Sequence, residues 1–201
     1  MSEIIKINAR HPEEDLIIRA ARVLQNKGVI AYPTETVYGI GSNVFAAEAV
    51  ERIYKLKNRD QSKALIVIAS DTIQIGDLVS EIPESAEKLM ENFWPGPLTL
   101  VFKSSADLKN SAFRRSHTIA IRIPDCSICL SLLKTCGFPI ISTSANHSGE
   151  PPATNAGQVA EIFGDQLDLI VDGGETPSNI PSTVVDVTRQ PVRILREGGI
   201  S

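Results

Sequence analysis

Apolar runs of strand length alternate with amphipathic helical stripes from residue 4 to residue 195, with no internal repeat, low-complexity tract or linker between two halves. A chain patterned in this way buries its strands against helices. The reading is therefore one α/β domain over 1–201, with a mixed sheet flanked by helices. Several passages from strand to strand lack a clear helix, so antiparallel pairs are expected beside parallel ones. Strands are expected at 4–7, 29–32, 65–69, 98–102, 118–124, 139–142, 167–171, 182–187 and 192–195. Helices are expected at 12–27, 46–56, 83–93 and 156–163, with shorter ones up to Val79 and around Cys129. The first helix carries Glu13, Glu14 and Asp15 in its opening turn, where they suit the helix dipole, and closes at Lys27-Gly28.

Bulk properties narrow the function. The net charge of −4 excludes a chain that is basic all over, so a nucleotide or nucleic-acid site must be a local basic patch. No apolar run approaches the ~18 residues of a membrane span. The first ten residues lack the pattern of a signal peptide, and the reading is cytoplasmic. Three cysteines, Cys126, Cys129 and Cys136, make an odd count that argues against a disulfide framework. Cys126 and Cys129 form a CxxC at the start of a helix after a strand, where a redox pair would sit. Cys129, Leu130, Leu132, Leu133 and Cys136 also fit the buried face of that helix, and the core reading is preferred. A structural zinc site wants four ligands, and His117 and His147 fall in other elements.

Polar residues collect at a few places. Lys55, Lys57, Arg59 and Lys63 put four cations into nine positions between two apolar elements, either as a solvated turn or as a pocket for an anion. The loop at 33–41 follows a buried strand and holds Thr34, Glu35, Thr36, Tyr38 and two glycines. It is either a polar cap or part of a site at the carboxyl end of a strand. Arg122 sits within a strand, where an unpaired charge costs stability unless a partner or ligand meets it. Ser142, Ser144 and Asn146 end another strand, and an extended backbone would aim Ser144 and Asn146 the same way. The basic segment from Lys103 to Thr118, with Lys109, Arg114, Arg115 and His117, is a flap or a surface loop. P-loop, Rossmann, HExxH and GxSxG signatures are absent. What remains is hydroxyls, amides and separate cations without an obvious nucleophile or base. Such a set suits anion binding and positioning, and phosphoryl or nucleotidyl transfer fits it because the substrates supply nucleophile and leaving group.

The ordered series 33–39 (PTETVYG), Lys57-Asn58-Arg59, Trp94-Pro95-Gly96-Pro97-Leu98-Thr99, Ser144-Ala145-Asn146, 182–186 (STVVD) and Leu195-Arg196 resembles the YrdC/TsaC threonylcarbamoyl-AMP synthases, over about residues 12–199. The resemblance implies a single YrdC-like domain with a twisted sheet and a concave ligand-binding face, in the short form of the family. It implies a nucleotidyltransferase that joins L-threonine, bicarbonate and ATP into threonylcarbamoyl-AMP and pyrophosphate, with Mg²⁺. The product would serve threonylcarbamoyladenosine formation at position 37 of tRNA, with the threonylcarbamoyltransferase proteins of that pathway as partners.

By the same resemblance, Lys57, Arg59, Ser144 and Asn146 carry catalysis. Arg59, Lys63, Thr118, Ser144 and Arg196 line the ATP side. Thr34, Thr36, Tyr38, Arg122, Ser142 and Ser182 line the threonine side, with Arg122 on the carboxylate. Ser144 and Asn146 would donate to phosphate or carbamate oxygens. The chain departs from the family at Asp60, where Pro is frequent, at Lys63, where longer members carry Asn, and at Ile68, where they carry His. The competing readings are an RNA-binding or ribosome-maturation factor, and a YciO-type paralogue or other carbamoyl-transfer enzyme.

Overall fold

The computed structural model describes residues 2–61, 65–105 and 117–200. Lys63, Lys109, Arg114 and Arg115 lie outside these residues, and with them most of the segment expected to be a flap or a loop. Among the described residues the order is β1 (Ile4–Lys6), α1 (Glu14–Gln25), β2 (Ile30–Tyr32), β3 (Gly39–Asn43), α2 (Ala47–Leu56), β4 (Ile66–Ile68), α3 (Ile73–Gly76), α4 (Glu84–Phe93), β5 (Leu98–Lys103), β6 (Thr118–Arg122), α5 (Ser127–Cys136), β7 (Ile140–Ser144), α6 (Ala156–Phe163), β8 (Leu169–Asp172), β9 (Thr183–Asp186) and β10 (Arg193–Arg196). The strands form one sheet in the order β1-β8-β2-β3-β7-β4-β6-β5-β9-β10. The sheet is mixed: β2 pairs β8 and β4 pairs β6 in parallel, whereas β3 and β4 both run antiparallel to β7.

Strand periodicity assigns each residue to a layer. Ile30, Tyr32, Ile68 and Ile140 face one side, where α1 and α5 pack through Ile17, Ala20, Leu24, Leu132 and Leu133. Ala31, Val67, Ile121 and Ile141 face the other, against Val50 and Ile53 of α2, Ala86 of α4, and Val159 and Phe163 of α6. Burial on both faces explains why β2 and β4 read as continuous apolar runs rather than alternating ones.

Local chemistry sets the ends of these elements. Asn155 caps α6 by accepting the Gln158 amide at 2.9 Å. At the end of α1 the left-handed residue is Lys27 (φ 63°), one position before the expected glycine. Gly28 answers a close approach instead, since a Cβ there would lie 2.5 Å from Val23 Cγ1.

Two boundaries differ from the sequence reading, and both matter for the site. The loop expected over 33–41 ends early, because β3 begins at Gly39 and lies in the middle of the sheet between β2 and β7. Its Gly-Ile-Gly-Ser-Asn composition has little intrinsic strand preference. Its neighbours hold it: a Cβ on Gly41 would lie 2.2 Å from the Ile141 carbonyl and 2.7 Å from the Tyr32 hydroxyl. The strand expected to stop at Ser142 continues to Ser144, so both serines belong to β7.

Candidate active site

Register brings the polar residues together. Gly39 pairs with Ser144 and Gly41 with Ser142 across β3 and β7. Ser142 pairs in turn with Ile66, Ile66 with Ala120, and Ile68 with Arg122. Paired residues share a face, so small and polar positions of β3, β7 and β6 fall, with Ile66 and Ile68 of β4, on the side that α1 and α5 cover elsewhere. With no side-chain bulk on β3 and only hydroxyls on β7, a cavity of about 270 Å³ opens on this face. The site is thus a concave sheet face; the loops following β2 and β7 form its rim.

Thr34, Thr36 and Tyr38 line the cavity from the loop after β2, and Ser142, Ser144 and Asn146 from β7 and its end. Arg59, Arg122, Ser182 and Arg196 complete the polar wall. Thr34 is a turn-former. Its hydroxyl donates to the Val37 carbonyl at 2.7 Å and accepts the Thr36 and Val37 amides. Its single proton is thereby used, so in the 2.8 Å contact between the two hydroxyls Thr36 is the donor. Thr36 Oγ1 accepts from Arg122 Nη1 at 3.1 Å.

Arg122 is only 6% exposed. Its Nη2 pairs with Glu35 Oε2 at 3.3 Å, which compensates the buried charge. Its Nε and Glu35 Oε1 are buried with no hydrogen-bond partner. Across the cavity Arg196 donates through Nε and Nη2 to the Ser182 carbonyl at 3.0 and 2.7 Å, and Nη2 also reaches Ser182 Oγ at 3.1 Å. Burial first, then the charges of Arg122 and Arg59, hold the Arg196 guanidinium below its usual range. The three guanidiniums therefore share one field. Burial likewise lowers Arg59.

Other expected residues are placed differently. Lys57 is 1% exposed and lies behind the wall, not in it. Its Nζ donates to the Ser144 carbonyl, the Asn146 carbonyl and Asn146 Oδ1, so its three protons are committed inside the protein. Burial first, and Arg59 second, push this ammonium down to about 7. Of the residues expected to carry catalysis, Lys57 thus stands behind the cavity wall and Arg59 in it. The Ser144 hydroxyl donates to Asn146 Oδ1 at 2.7 Å, and Asn146 Nδ2 donates to the Glu150 carbonyl. These two groups brace the loop rather than pointing those bonds outward as expected. Thr118 pairs with Lys103 at the far end of β6, outside the cavity lining. Tyr38 is fully buried, and its hydroxyl donates to the Gly174 carbonyl at 2.8 Å; burial pushes that hydroxyl up to about 12.

Sequence reasoning assigned no role to Glu35, Glu150, Ile66 or Pro181. Glu35 carried a signal, a lone carboxylate between two hydroxyls just after a buried strand. The lining holds three arginines and one carboxylate, Glu150. Among the described residues the lining has no His or Cys, and such a set suits binding by charge and position.

Fold and site define a class: a mixed-sheet α/β protein with a cavity on one sheet face whose lining includes three arginines. A model of the Sua5/YciO/YrdC family, described as telomere recombination, matches residues 22–198, and the chain belongs to that family. The threonylcarbamoyl-AMP synthase of Pyrococcus abyssi is 41% identical over 200 residues, covering all of this chain and 58% of that protein. The synthase of Bacillus subtilis is 41% identical over 186 residues, and the match covers 54% of it. The chain thus spans little more than half the length of these two relatives. For the synthase of Nitrosococcus oceani, 38% identical over 167 residues, the share covered is 90%. Among solved structures, P. abyssi Sua5 complexed with L-threonine superposes with a TM-score of 0.94 at 41% identity, over 98% of this chain and 58% of that one. Escherichia coli YciO superposes with a TM-score of 0.91 at 27% identity, over 99% of this chain and 97% of that one.

Proposed function

We propose that this chain is an L-threonylcarbamoyladenylate synthase, a nucleotidyltransferase that makes threonylcarbamoyl-AMP and pyrophosphate from L-threonine, bicarbonate and ATP. The observation that carries the reading is the convergence of Arg59, Arg122 and Arg196 on one cavity whose lining includes a single carboxylate. Such a wall suits substrates that bring a carboxylate and a triphosphate together. The relatives' names and the threonine-bound Sua5 structure support the choice of substrates.

In this reading Arg122 takes the threonine carboxylate, with its unpartnered Nε and Glu35 behind it. Thr36, Ser142 and Ser182 surround the rest of the amino acid, and Thr34 and Tyr38 shape the turn. Arg59 and Arg196 take the triphosphate, with Ser144 beside them at the end of β7; the family resemblance adds Thr118 and Lys63, the latter outside the described residues, to the ATP side. The threonine amine attacks the bicarbonate carbon, a C–O bond breaks, and loss of water gives N-carboxythreonine. A carbamate oxygen then attacks the α-phosphorus, the bond to the bridging oxygen breaks, and pyrophosphate leaves. Arginine forks at fixed positions stabilise the charge that builds on the phosphate oxygens. Lys57 acts through the Ser144–Asn146 loop.

The donor set offers no cage for a divalent cation. Among the described residues no cluster of three His, Cys, Asp or Glu is present. Mg²⁺ would arrive on the phosphates of ATP, as part of the substrate. No described helix is long and apolar enough to cross a membrane. The reading places the activity in the cytoplasm, as one YrdC-like domain over 1–201. The adenylate would pass to the tRNA threonylcarbamoyltransferase proteins acting at position 37 of tRNA.

A second reading is a YciO-type paralogue, since Escherichia coli YciO shares the fold at a TM-score of 0.91. For an RNA-binding factor, the sequence signal lies in Lys103, Lys109, Arg114 and Arg115; Lys103 pairs with Glu81, and the other three lie outside the described residues. Pyrophosphate release from ATP separates these readings: a synthase needs both threonine and bicarbonate, and release independent of either one rejects the proposal.

A further inference from the structure

Outside the cavity, two thiols converge on the turn that builds it. Cys126 is the N-cap of α5, and Cys129 follows in the first turn. Cys129 Sγ lies 3.0 Å and Cys126 Sγ 3.5 Å from the same acceptor, the carbonyl oxygen of buried Pro33. Pro33 opens the turn in which Thr34 gathers the Thr36 and Val37 amides and Thr36 receives Arg122. All three cysteines are free, but they differ in access: Cys126 is partly exposed between exposed Asp125 and Ser127, whereas Cys129 and Cys136 are buried. Cys129 and Cys136 belong to the core cluster, whereas Cys126 packs at its edge and is partly exposed.

We propose that Cys126 and Cys129 form a dithiol site for exchange with a low-molecular-weight disulfide, and that oxidation of the pair loosens the 33–37 turn of the cavity.

The two thiols have the complementary properties that such exchange requires. The Cys129 thiol first, and the amides of Cys129 and Ile128 after it, favour the Cys126 thiolate against the effects of burial and Glu35. Burial raises Cys129 well above the ordinary thiol range. Cys126 therefore attacks. Its thiolate forms a mixed disulfide with one half of the reagent and releases the other half as a thiolate. Cys129 then gives up its proton, and its sulfur attacks Cys126 Sγ, releasing the second half. The reagent disulfide is reduced to two thiols, and two protein thiols become one disulfide. A disulfide has no S–H, so the buried Pro33 carbonyl loses both donors. The turn that presents Thr36 to Arg122 is then less tightly held. A weaker grip on threonine follows as well; that consequence alone rests on the function proposed above.

The test uses the whole protein, oxidised glutathione, peptide mass mapping and amide hydrogen exchange. The expected product is a Cys126–Cys129 disulfide that dithiothreitol reverses, with Cys136 still open to alkylation. Cys129→Ser should stop at a mixed disulfide on Cys126, and Cys126→Ser should react with neither. Exchange at the Thr36 and Val37 amides should quicken by about fivefold or more on oxidation. Oxidation that falls on Cys136, no disulfide under these conditions, or a disulfide that leaves exchange unchanged would each overturn the proposal. If the disulfide forms and exchange quickens while the reduced protein fails to bind threonine, the dithiol site stands and the synthase reading falls.

Discussion

Lys57 Nζ donates to both oxygens of Asn146, the backbone carbonyl and Oδ1, at 2.8 Å each. A third bond to the Ser144 carbonyl completes the ammonium's coordination. One buried cation thereby fixes the loop that carries Ser144 into the cavity. Lys57→Met leaves the buried Asn146 carbonyl without its donor, at about 1–3 kcal/mol, while Asn146 Oδ1 keeps the Ser144 hydroxyl and the Ser144 carbonyl keeps the Asn146 amide. Urea unfolding should show a loss of about 1–3 kcal/mol, with turnover falling alongside it. A variant as stable as the parent would contradict this account of Lys57.

The same ammonium gives a pH signature. Burial lowers it from the ordinary 10.5 to about 7. Between those values the unfolded chain binds the extra proton and the folded chain does not. The contribution of Lys57 to stability therefore rises with pH from about 7 to about 10.5. Urea midpoints for the parent and Lys57→Met at pH 7 and pH 9.5 check this. The parent should gain more than the variant over the interval; equal changes would show that Lys57 titrates normally.

Arg122 holds Thr36 and Glu35 at once and keeps Nε free of protein partners. Lysine lacks the planar fork for this. Arg122→Lys should raise the threonine KM by about tenfold or more while the ATP KM changes little. Glu35→Gln keeps the shape and removes the compensating charge. It should cost about 3 kcal/mol of stability in chemical denaturation, as expected for breaking a buried pair.

Arg196 reaches the cavity from β10 and is bound to Ser182. Arg196→Ala should lower kcat/KM for ATP by about tenfold or more. Arg52→Ala is the contrast. Arg52 pairs with Asp168 on the surface, both side chains more than a third exposed. Its removal should change kinetics little and stability by less than about 1 kcal/mol.

Gly41 lies against the Ile141 carbonyl, where a Cβ would come within 2.2 Å. Gly41→Ala should push β3 from β7 and cost about 1–3 kcal/mol by thermal or chemical unfolding. Because Gly41 pairs with Ser142, threonine binding should weaken with it.

The legible parts of the fold were those with a strong hydrophobic period. α1, α2, α4 and α6 fall close to their expected positions because their apolar stripes repeat at helical spacing. β2 and β4 stand out because both faces are buried. β3 was not legible, because its strand state comes from its neighbours: β2 and β7 leave room for glycine and little else. Motif order pointed to the residues that line the cavity, but not to the direction of each side chain. Lys57 and Arg59 stand two apart in one cationic run, yet Lys57 turns inward beneath the Ser144–Asn146 loop and Arg59 lines the cavity. That separation depends on the α2 C-terminus meeting the end of β7, a long-range contact with no local signal. Glu35 was visible as a carboxylate, but its pairing with Arg122 spans 87 residues.

The central claim is that one cavity joins threonine, a one-carbon unit and the adenylyl group of ATP. The direct measurement supplies α-³²P-labelled ATP, ¹⁴C-bicarbonate and L-threonine to the purified protein and separates the products. The account predicts one product carrying both labels, formed only when threonine is present, with pyrophosphate released in equal amount. ATP cleaved to ADP and phosphate, or ³²P-AMP formed without ¹⁴C in the adenylate, would contradict it.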